Sequence, residues 1–483
     1  MWISKPNCNS SVFDLSPLAN QDWGTNQRIH QYYSGLRGAC AEHNERWGNV
    51  TFTIDNDAED GPVAGVASNT PSLSTIYLFT GSVGGDSQGG LVVSATGQIF
   101  GTTPNYGQYG SGTAFQLTPP VSSGTHWTPT LLHSFKGGSD GGVPYSTLTF
   151  GPPYDGAIPA GGLYGTTTIG GDLSCGPSGG GCGTLFQLNP PTWTVSTLYR
   201  FHSRDKIYGG APLTLGPQGI LYSTDYTAGE NNSGAVFQLV PPATAGASWK
   251  ATIIHSFKDD GDGGFPFTGV MLAPDGSLYG TTTLGGDFSC FNGLGCGTVF
   301  QLTPPAIPSG TWELKTIYAF NGIDGEFASS VILGPNGSLY GTTQNGGGTS
   351  CFYIGVPPPQ GCGTVFQLTP PVVPGDAWTL TPLHSFQGGS DGEFPSGGVV
   401  LGPNGSLYGT TYAGGNPCPQ NNEGCGTVFQ LTPPATPGGA WSESVLYRFT
   451  AVQDRHKSDD PCCKRGLCVP GTGVLRLRSA AVS

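Results

Sequence analysis

A chain of 483 residues with 81 glycines, 41 prolines and only 10% charged residues has the turn content of a low-complexity segment, yet 11% of it is aromatic. Disordered chains lack such large apolar side chains, so this composition describes a folded, turn-rich protein. A net charge of -13 without a basic, aromatic-interleaved patch argues against nucleic acid as a partner, and no apolar run of about 18 residues is present to span a bilayer.

The start Met1-Trp2-Ile3-Ser4-Lys5-Pro6 has no apolar core of an export signal, and residues 1–71 read as a poorly ordered segment outside any repeat. From 72 to 449 the chain copies itself. An aromatic, one residue and Phe first occur at Tyr77-Leu78-Phe79, then at Phe135, Phe201, Phe257, Phe320, Phe386 and Phe449. Between successive copies stand two further markers. The first is Phe100-Gly-Thr-Thr, then Tyr164-Gly-Thr-Thr, Tyr222-Ser-Thr-Asp, Tyr279-Gly-Thr-Thr, Tyr340-Gly-Thr-Thr and Tyr408-Gly-Thr-Thr. The second is Phe-Gln-Leu, beginning at Phe115, Phe186, Phe237, Phe300, Phe366 and Phe429.

Within a unit these markers predict four short strands. Val331-Ile332-Leu333 and Leu339-Tyr340-Gly-Thr-Thr flank Pro335-Asn336-Gly337, a hairpin signal repeated at Pro274-Asp275-Gly276 and Pro403-Asn404-Gly405. A third run, Thr364 to Leu368, stops at Pro370-Pro371, because proline cannot donate to a ladder. A fourth follows Trp378 and ends at Phe386. Six units of four strands without helical periodicity predict an all-β fold, a β-propeller of six blades, with seven blades, one degenerate, as the alternative. A linear solenoid is the rival, although its coils are usually shorter and more uniform. The leading strand at Ser74–Phe79 then either completes the last blade as a latch or is the remnant of a seventh. Two residues before each marker Phe, tyrosine and histidine alternate: Tyr77, His133, Tyr199, His255, Tyr318, His384, Tyr447.

The ordered set Leu-Tyr-Gly-Thr-Thr, Gly-Gly, Gly-Thr-Val-Phe-Gln-Leu-Thr-Pro, over about residues 72 to 449, resembles the GloVer tandem repeat of bacterial choice-of-anchor proteins. The resemblance implies export and display at the cell surface and carries no catalytic motif. After Phe449 the pattern ends. Residues 450–483 hold six of the 18 lysines and arginines and read as a basic, cysteine-containing, disordered tail without an apolar anchor.

Four units carry a cysteine pair between the second and third markers: Cys175 and Cys182, Cys290 and Cys296, Cys351 and Cys362, Cys418 and Cys425. Both members are present or both absent, as expected of disulfides stapling a loop, and the variable gaps do not match four-ligand zinc spacing. Disulfides persist in oxidising compartments, so the pairs predict an extracellular or surface protein. Cys8, Cys40, Cys462, Cys463 and Cys468 have no assignable partners in the pattern.

An aspartate follows each marker Phe: Asp86, Asp140, Asp205, Asp262, Asp324 and Asp391. Asp-Gly is a turn dipeptide, and a structural turn is the leading reading. Asp259-Asp260-Gly261-Asp262 is rich enough in oxygen to suggest calcium, although no complete EF-hand loop is present; no other cofactor is expected. In Asp324-Gly-Glu326 and Asp391-Gly-Glu393 a second carboxyl stands close by, the minimum a glycoside-cleaving site requires. His133, His255 and His384 could ring one face, but tyrosine replaces them elsewhere, which favours packing over a metal ring. The leading functional expectation is therefore an extracytoplasmic binding module for glycans or surface proteins. A polysaccharide hydrolase or lyase using Asp324, Glu326, Asp391 and Glu393 is the alternative, and a structural surface-layer component the third.

Overall fold

The computed structural model describes strands His43–Trp47 and Val50–Ile54 and most of residues 76–450. Outside the described residues lie the rest of 1–75, positions 78, 80, 82, 86 and 88, the loop residues 121–125, 153–160, 176–179, 245–246, 291–292, 308–309, 349–350, 352–360, 374, 417–423 and 437, and the stretch 451–483. The expectations for residues 1–71 apart from those two strands, for the tail beyond 450, and for Asp86, Cys418, Cys8, Cys40, Cys462, Cys463 and Cys468 fall there.

Strands β1 (His43–Trp47) and β2 (Val50–Ile54) pair as a hairpin. The other 24 strands form six four-stranded antiparallel sheets standing in a ring, a six-bladed β-propeller. Blade 1 comprises β3 (Val92–Val93), β4 (Ile99–Thr103), β5 (Thr113–Thr118) and β6 (Thr128–Ser134). Blade 2 comprises β7 (Thr149–Phe150), β8 (Leu163–Thr167), β9 (Thr184–Asn189) and β10 (Thr194–Arg200). Blade 3 has β11 (Thr214–Leu215), β12 (Leu221–Asp225), β13 (Ala235–Val240) and β14 (Lys250–Ser256). Blade 4 has β15 (Met271–Leu272), β16 (Leu278–Thr282), β17 (Thr298–Thr303) and β18 (Glu313–Ala319). Blade 5 is built from β19 (Glu326–Leu333), β20 (Leu339–Asn345), β21 (Thr364–Thr369) and β22 (Thr379–Ser385). Blade 6 is built from β23 (Val400–Leu401), β24 (Leu407–Thr410), β25 (Thr427–Thr432) and β26 (Ser442–Arg448).

The repeated motifs explain each blade. The turn between first and second strands puts Asn336 and Gly337, or Asn404 and Gly405, at positive φ, the conformation that Asn-Gly tolerates best. In the second strand, Gly341 lies opposite Phe366 of the third, and a Cβ on Gly341 would meet that ring at 2.7 Å. Glycine there lets the phenyl group cross the strand. The Phe and Leu of Phe-Gln-Leu are buried in every blade, and the third strand ends before its Pro-Pro as expected. The first strand is shorter than two full pleats in five blades but extends back to Glu326 in blade 5, five residues before the predicted start.

The cores lie between blades rather than within them. The marker Phe at the end of one blade is fully buried against the Phe-Gln-Leu ring of the next: Phe135 on Phe186, Phe201 on Phe237, Phe257 on Phe300, Phe320 on Phe366 and Phe386 on Phe429, with ring centroids 5.0 to 6.0 Å apart and edges turned to faces. Such edge-to-face pairs add to the area they bury. No helix among the described residues is long and apolar enough to cross a membrane.

Candidate functional site

In a four-stranded antiparallel blade the loop between second and third strands emerges at the same end as the connection from the fourth strand to the next blade. That end of the ring collects the chemistry. There the second threonine of Tyr-Gly-Thr-Thr meets the threonine that opens the third strand: Thr103 with Thr113, Thr167 with Thr184, Thr282 with Thr298, Thr343 with Thr364 and Thr411 with Thr427, hydroxyl to hydroxyl at 2.8 to 3.0 Å. Blade 3 replaces this pair with Asp225 opposite Ala235. The Asp225 carboxylate accepts backbone N–H bonds from Tyr208, Thr227 and Ala228, while burial pushes its pKa up to about 6.

The aspartates after the marker Phe have specific partners. His133 Nε2 meets Asp140 at 3.1 Å, His255 meets Asp262 at 3.3 Å, and His384 meets Asp391 at 3.2 Å. Where tyrosine takes the place of histidine its hydroxyl donates instead, Tyr199 to Asp205 at 2.8 Å and Tyr318 to Asp324 at 2.5 Å. Each carboxylate also accepts a backbone N–H, from Lys136, His202, Lys258, Asn321 and Gln387 in turn. For Asp391, burial raises the pKa, but the bonds from His384 and Gln387 outweigh it and hold the carboxyl below its ordinary value. The alternation of Tyr and His is thus one clasp made with two side chains.

The glutamates two residues on are placed differently. Glu326 is 2% exposed at the start of β19, and burial pushes its carboxyl up to about 7. Its cross-strand partner is Asn345, whose buried Oδ1 has no hydrogen-bond partner. Glu393 is partly buried beside the Cys351–Cys362 bridge. Asp324 and Asp391 thus take part in the clasps, while Glu326 is buried and Glu393 lies against a disulfide.

Three of the predicted cysteine pairs are disulfides: Cys175–Cys182, Cys290–Cys296 and Cys351–Cys362, with Cα atoms 5.5, 5.1 and 4.9 Å apart. Cys425 is also disulfide-bonded. Three spaced markers recur on six like blades, and the sequence signature of the Gloeobacter/Verrucomicrobia repeat matches residues 22–237 and 210–466. The chain belongs to this repeat family. No curated protein matches it in sequence. Among solved structures, a candidate 6-phosphogluconolactonase from Bacteroides uniformis is 14% identical, with a TM-score of 0.42 over 77% of this chain and 86% of that one. PorZ, a bacterial surface component of the type-IX secretion system of Porphyromonas gingivalis, is 11% identical, with a TM-score of 0.41 over 76% of this chain and 42% of its own. An α-L-arabinofuranosidase from Clostridium thermocellum is 11% identical, with a TM-score of 0.29 over 61% of this chain and 93% of that one. Likenesses this distant carry no argument about a reaction.

In this Gloeobacter/Verrucomicrobia repeat protein, one group of metal-type side chains converges among the described residues. Cys351, Cys362 and Glu393 offer atoms within 4.8 Å of one another, but both sulfurs are committed to the disulfide. Asp259, Asp260 and Asp262, the calcium candidates, do not form such a group; Asp262 accepts from His255 and from the Lys258 N–H, and Asp260 from the Asp262 N–H. An open groove of about 490 Å³ runs between β6 and β10, lined by Leu132, His133, Lys136, Asp140, Trp193 and Thr197 among others.

The end of the ring that carries the clasps also carries the aromatic surface. All seven exposed Tyr and Phe side chains among the described residues lie on it: Tyr106, Tyr109, Tyr226 and Phe288 in loops between second and third strands, and Tyr145, Tyr208 and Phe267 in connections to a first strand. Lys136 Nζ sits over the Tyr109 ring at 5.6 Å. None of these residues belongs to a repeated marker, so periodicity does not single them out. A signal is nevertheless present in blade 3, where Tyr222-Ser-Thr-Asp breaks the common motif just before Tyr226.

Proposed function

We propose that this protein is an extracytoplasmic binding module, secreted or displayed at the surface, whose ligand site is the loop end of the ring just described. One observation carries the reading: every exposed Tyr, Phe or Trp ring among the described residues stands at that end, whereas the opposite end presents Pro-Asn-Gly turns and aliphatic Ile307, Val372 and Val373. Exposed Tyr and Phe beside polar loop groups suit recognition of glycans or protein surfaces, because such rings bury large area at low entropy cost. The disulfides support an oxidising compartment.

A polysaccharide hydrolase or lyase is the second reading, favoured by the raised pKa of Glu326, which falls in the range of a general acid. It needs two carboxyls open to one cleft. Against it stand the burial of Glu326 and the commitment of Asp324 and Asp391 to Tyr318 and His384.

The experiment incubates the purified protein with soluble and insoluble polysaccharides and scores retention and new reducing ends in the same tubes. Retention without product is expected. Product formation abolished by Asp324→Asn or Asp391→Asn would replace the binding reading with the enzyme reading. Neither retention nor product would remove glycans and leave protein surfaces as the partner to test.

A further inference from the structure

One hydrogen bond recurs at four of the junctions between neighbouring blades. The first threonine of the Thr-Thr pair donates its hydroxyl to a backbone carbonyl of the next blade: Thr102 to Ser146 at 3.1 Å, Thr166 to Ala211 at 3.4 Å, Thr224 to Thr268 at 2.7 Å and Thr342 to Gly397 at 2.8 Å. The residue two beyond each threonine therefore corresponds to the residue just before each carbonyl. These couples are Pro104 and Tyr145, Thr168 and Gly210, Tyr226 and Phe267, and Gln344 and Ser396. The scaffold closes the same junction with Thr and Gly or with Gln and Ser, so packing between blades does not require two rings at the third.

Yet there Tyr226 and Phe267 stand 5.9 Å apart at 88°, and Tyr226 lies 5.1 Å from Phe265 at 49°. Tyr226 is 43% and Phe267 60% exposed. The corner they form is open to solvent, and an acidic side chain lies near it. Asp259 is close enough to act on the Tyr226 hydroxyl electrostatically, and its buried Oδ1 has no hydrogen-bond partner and lies against Gly264, where a Cβ would meet it at 2.7 Å. Asp260 and Asp262 follow it, with Lys258 and the His255 bonded to Asp262 as the nearby basic groups.

We infer that Tyr226, Phe265 and Phe267, with Asp259 behind them, bind an organic ammonium group: a methylated or quaternary amine. Rings set at right angles present π faces to a compact, rounded cation, whereas a pyranose stacks best on one broad face. The carboxylate adds the matching charge. Cation–π contacts of this kind are worth about 0.5–2 kcal/mol each, more when the site is desolvated. This inference rests on the binding-module reading and names the ligand class of one part of the same ring end.

The test is titration of the full chain with choline and with its uncharged isostere 3,3-dimethylbutan-1-ol at low salt, by calorimetry. Choline is expected to bind saturably, and the isostere about fivefold or more weakly, the factor for roughly 1 kcal/mol. Tyr226→Thr and Phe267→Ser borrow the residues found at Thr168 and Ser396, so both should keep the wild-type melting temperature while weakening choline about two- to fivefold each. Asp259→Asn should weaken choline and flatten its salt dependence. Equal binding of the isostere, unchanged binding in the Tyr226 and Phe267 variants, or no saturable binding would each overturn the inference. Retention of a polysaccharide in the panel experiment, unaffected by Tyr226→Thr, would leave the binding-module reading standing while this corner fails.

Discussion

Phe79 packs on Phe115 with ring centroids 4.9 Å apart and planes at 70°, filling on blade 1 the place that Phe386 fills on Phe429 of blade 6. The chain thus has seven marker rings and six Phe-Gln-Leu rings to receive them, and Phe449 is the marker left over; it stacks on Tyr447 and is half-buried where the five internal markers are fully buried. Repeat proteins draw much of their stability from such nearest-neighbour interfaces. Phe386→Ala should therefore cost about 3–5 kcal/mol, as expected for a buried Phe emptied to a methyl group, and Phe79→Ala clearly less. Urea unfolding midpoints of the two variants decide it; equal losses would mean that the leading segment is as integral to the ring as an internal blade.

The disulfides close short loops, with sequence separations of 7, 6 and 11 residues. In the chain-entropy account each contributes about 2–3 kcal/mol. Thiol titration of the native, unreduced protein should find Cys175, Cys182, Cys290, Cys296, Cys351 and Cys362 blocked, and the Cys290→Ala/Cys296→Ala double variant should unfold at lower urea. Six reactive thiols before reduction would remove the argument for an oxidising compartment.

Glu326 gives stability a pH dependence of definite sign. Its folded pKa of about 7 lies above the ordinary 4.5, so the folded state holds the proton more tightly than the unfolded chain. Stability contributed by the protonated form is complete below about pH 4.5 and is lost as pH rises toward and past 7. Each tenfold difference in proton affinity between the two states corresponds to about 1.4 kcal/mol, so the loss at pH 8 is on the order of 3 kcal/mol. Glu326→Gln should match the wild type near pH 4.5 and exceed it at pH 8. Parallel stability curves for the two proteins between those pH values would show that the carboxyl is solvated.

The Asp391 clasp acts in the opposite direction. Asp391, held below its ordinary pKa against its own burial, contributes stability above the unfolded value near 3.8 that is lost as pH falls through the folded one. Asp391→Asn should be less stable than the wild type at pH 6 and approach it in strong acid. Convergence of the two unfolding free energies on acidification is the measurement, and a constant gap would show that the aspartate acts only as an uncharged hydrogen-bond acceptor.

Much of this was legible in the sequence, for a physical reason. Markers such as Phe366 and Gly341 are short-range requirements of one strand pair, repeated six times, so their spacing carries strand order and blade number. The cysteine pairs were legible because each closes within a single loop. What escaped is what depends on the turn between blades. Asp324 and Glu326 are two residues apart, yet one bonds to Tyr318 and the other is buried opposite Asn345. Tyr226 and Phe267 are neighbours across a junction tied by bonds such as that from the Thr224 hydroxyl to the Thr268 carbonyl, and no local pattern records that bond.

Blade 3 offers the sharpest test of how the loop end is held. Five blades use a pair of threonine hydroxyls, and the sixth uses Asp225 with Ala235 opposite. A lone Asp225→Thr change removes the acceptor of three backbone N–H bonds and puts its hydroxyl opposite a methyl group, so it should destabilise by about 1–3 kcal/mol, the cost of buried donors left unpaired. Ala235→Thr alone brings a hydroxyl beside an already satisfied carboxylate and should also be unfavourable. Together the two changes restore the pair seen in the other blades, so the double variant should be more stable than the sum of the single effects predicts, by an interaction energy of about 1 kcal/mol or more. Thermal or urea unfolding of all four proteins measures that coupling. Strict additivity would mean that the Asp225 loop is held by the Tyr208, Thr227 and Ala228 amides alone and owes nothing to the residue across the strand.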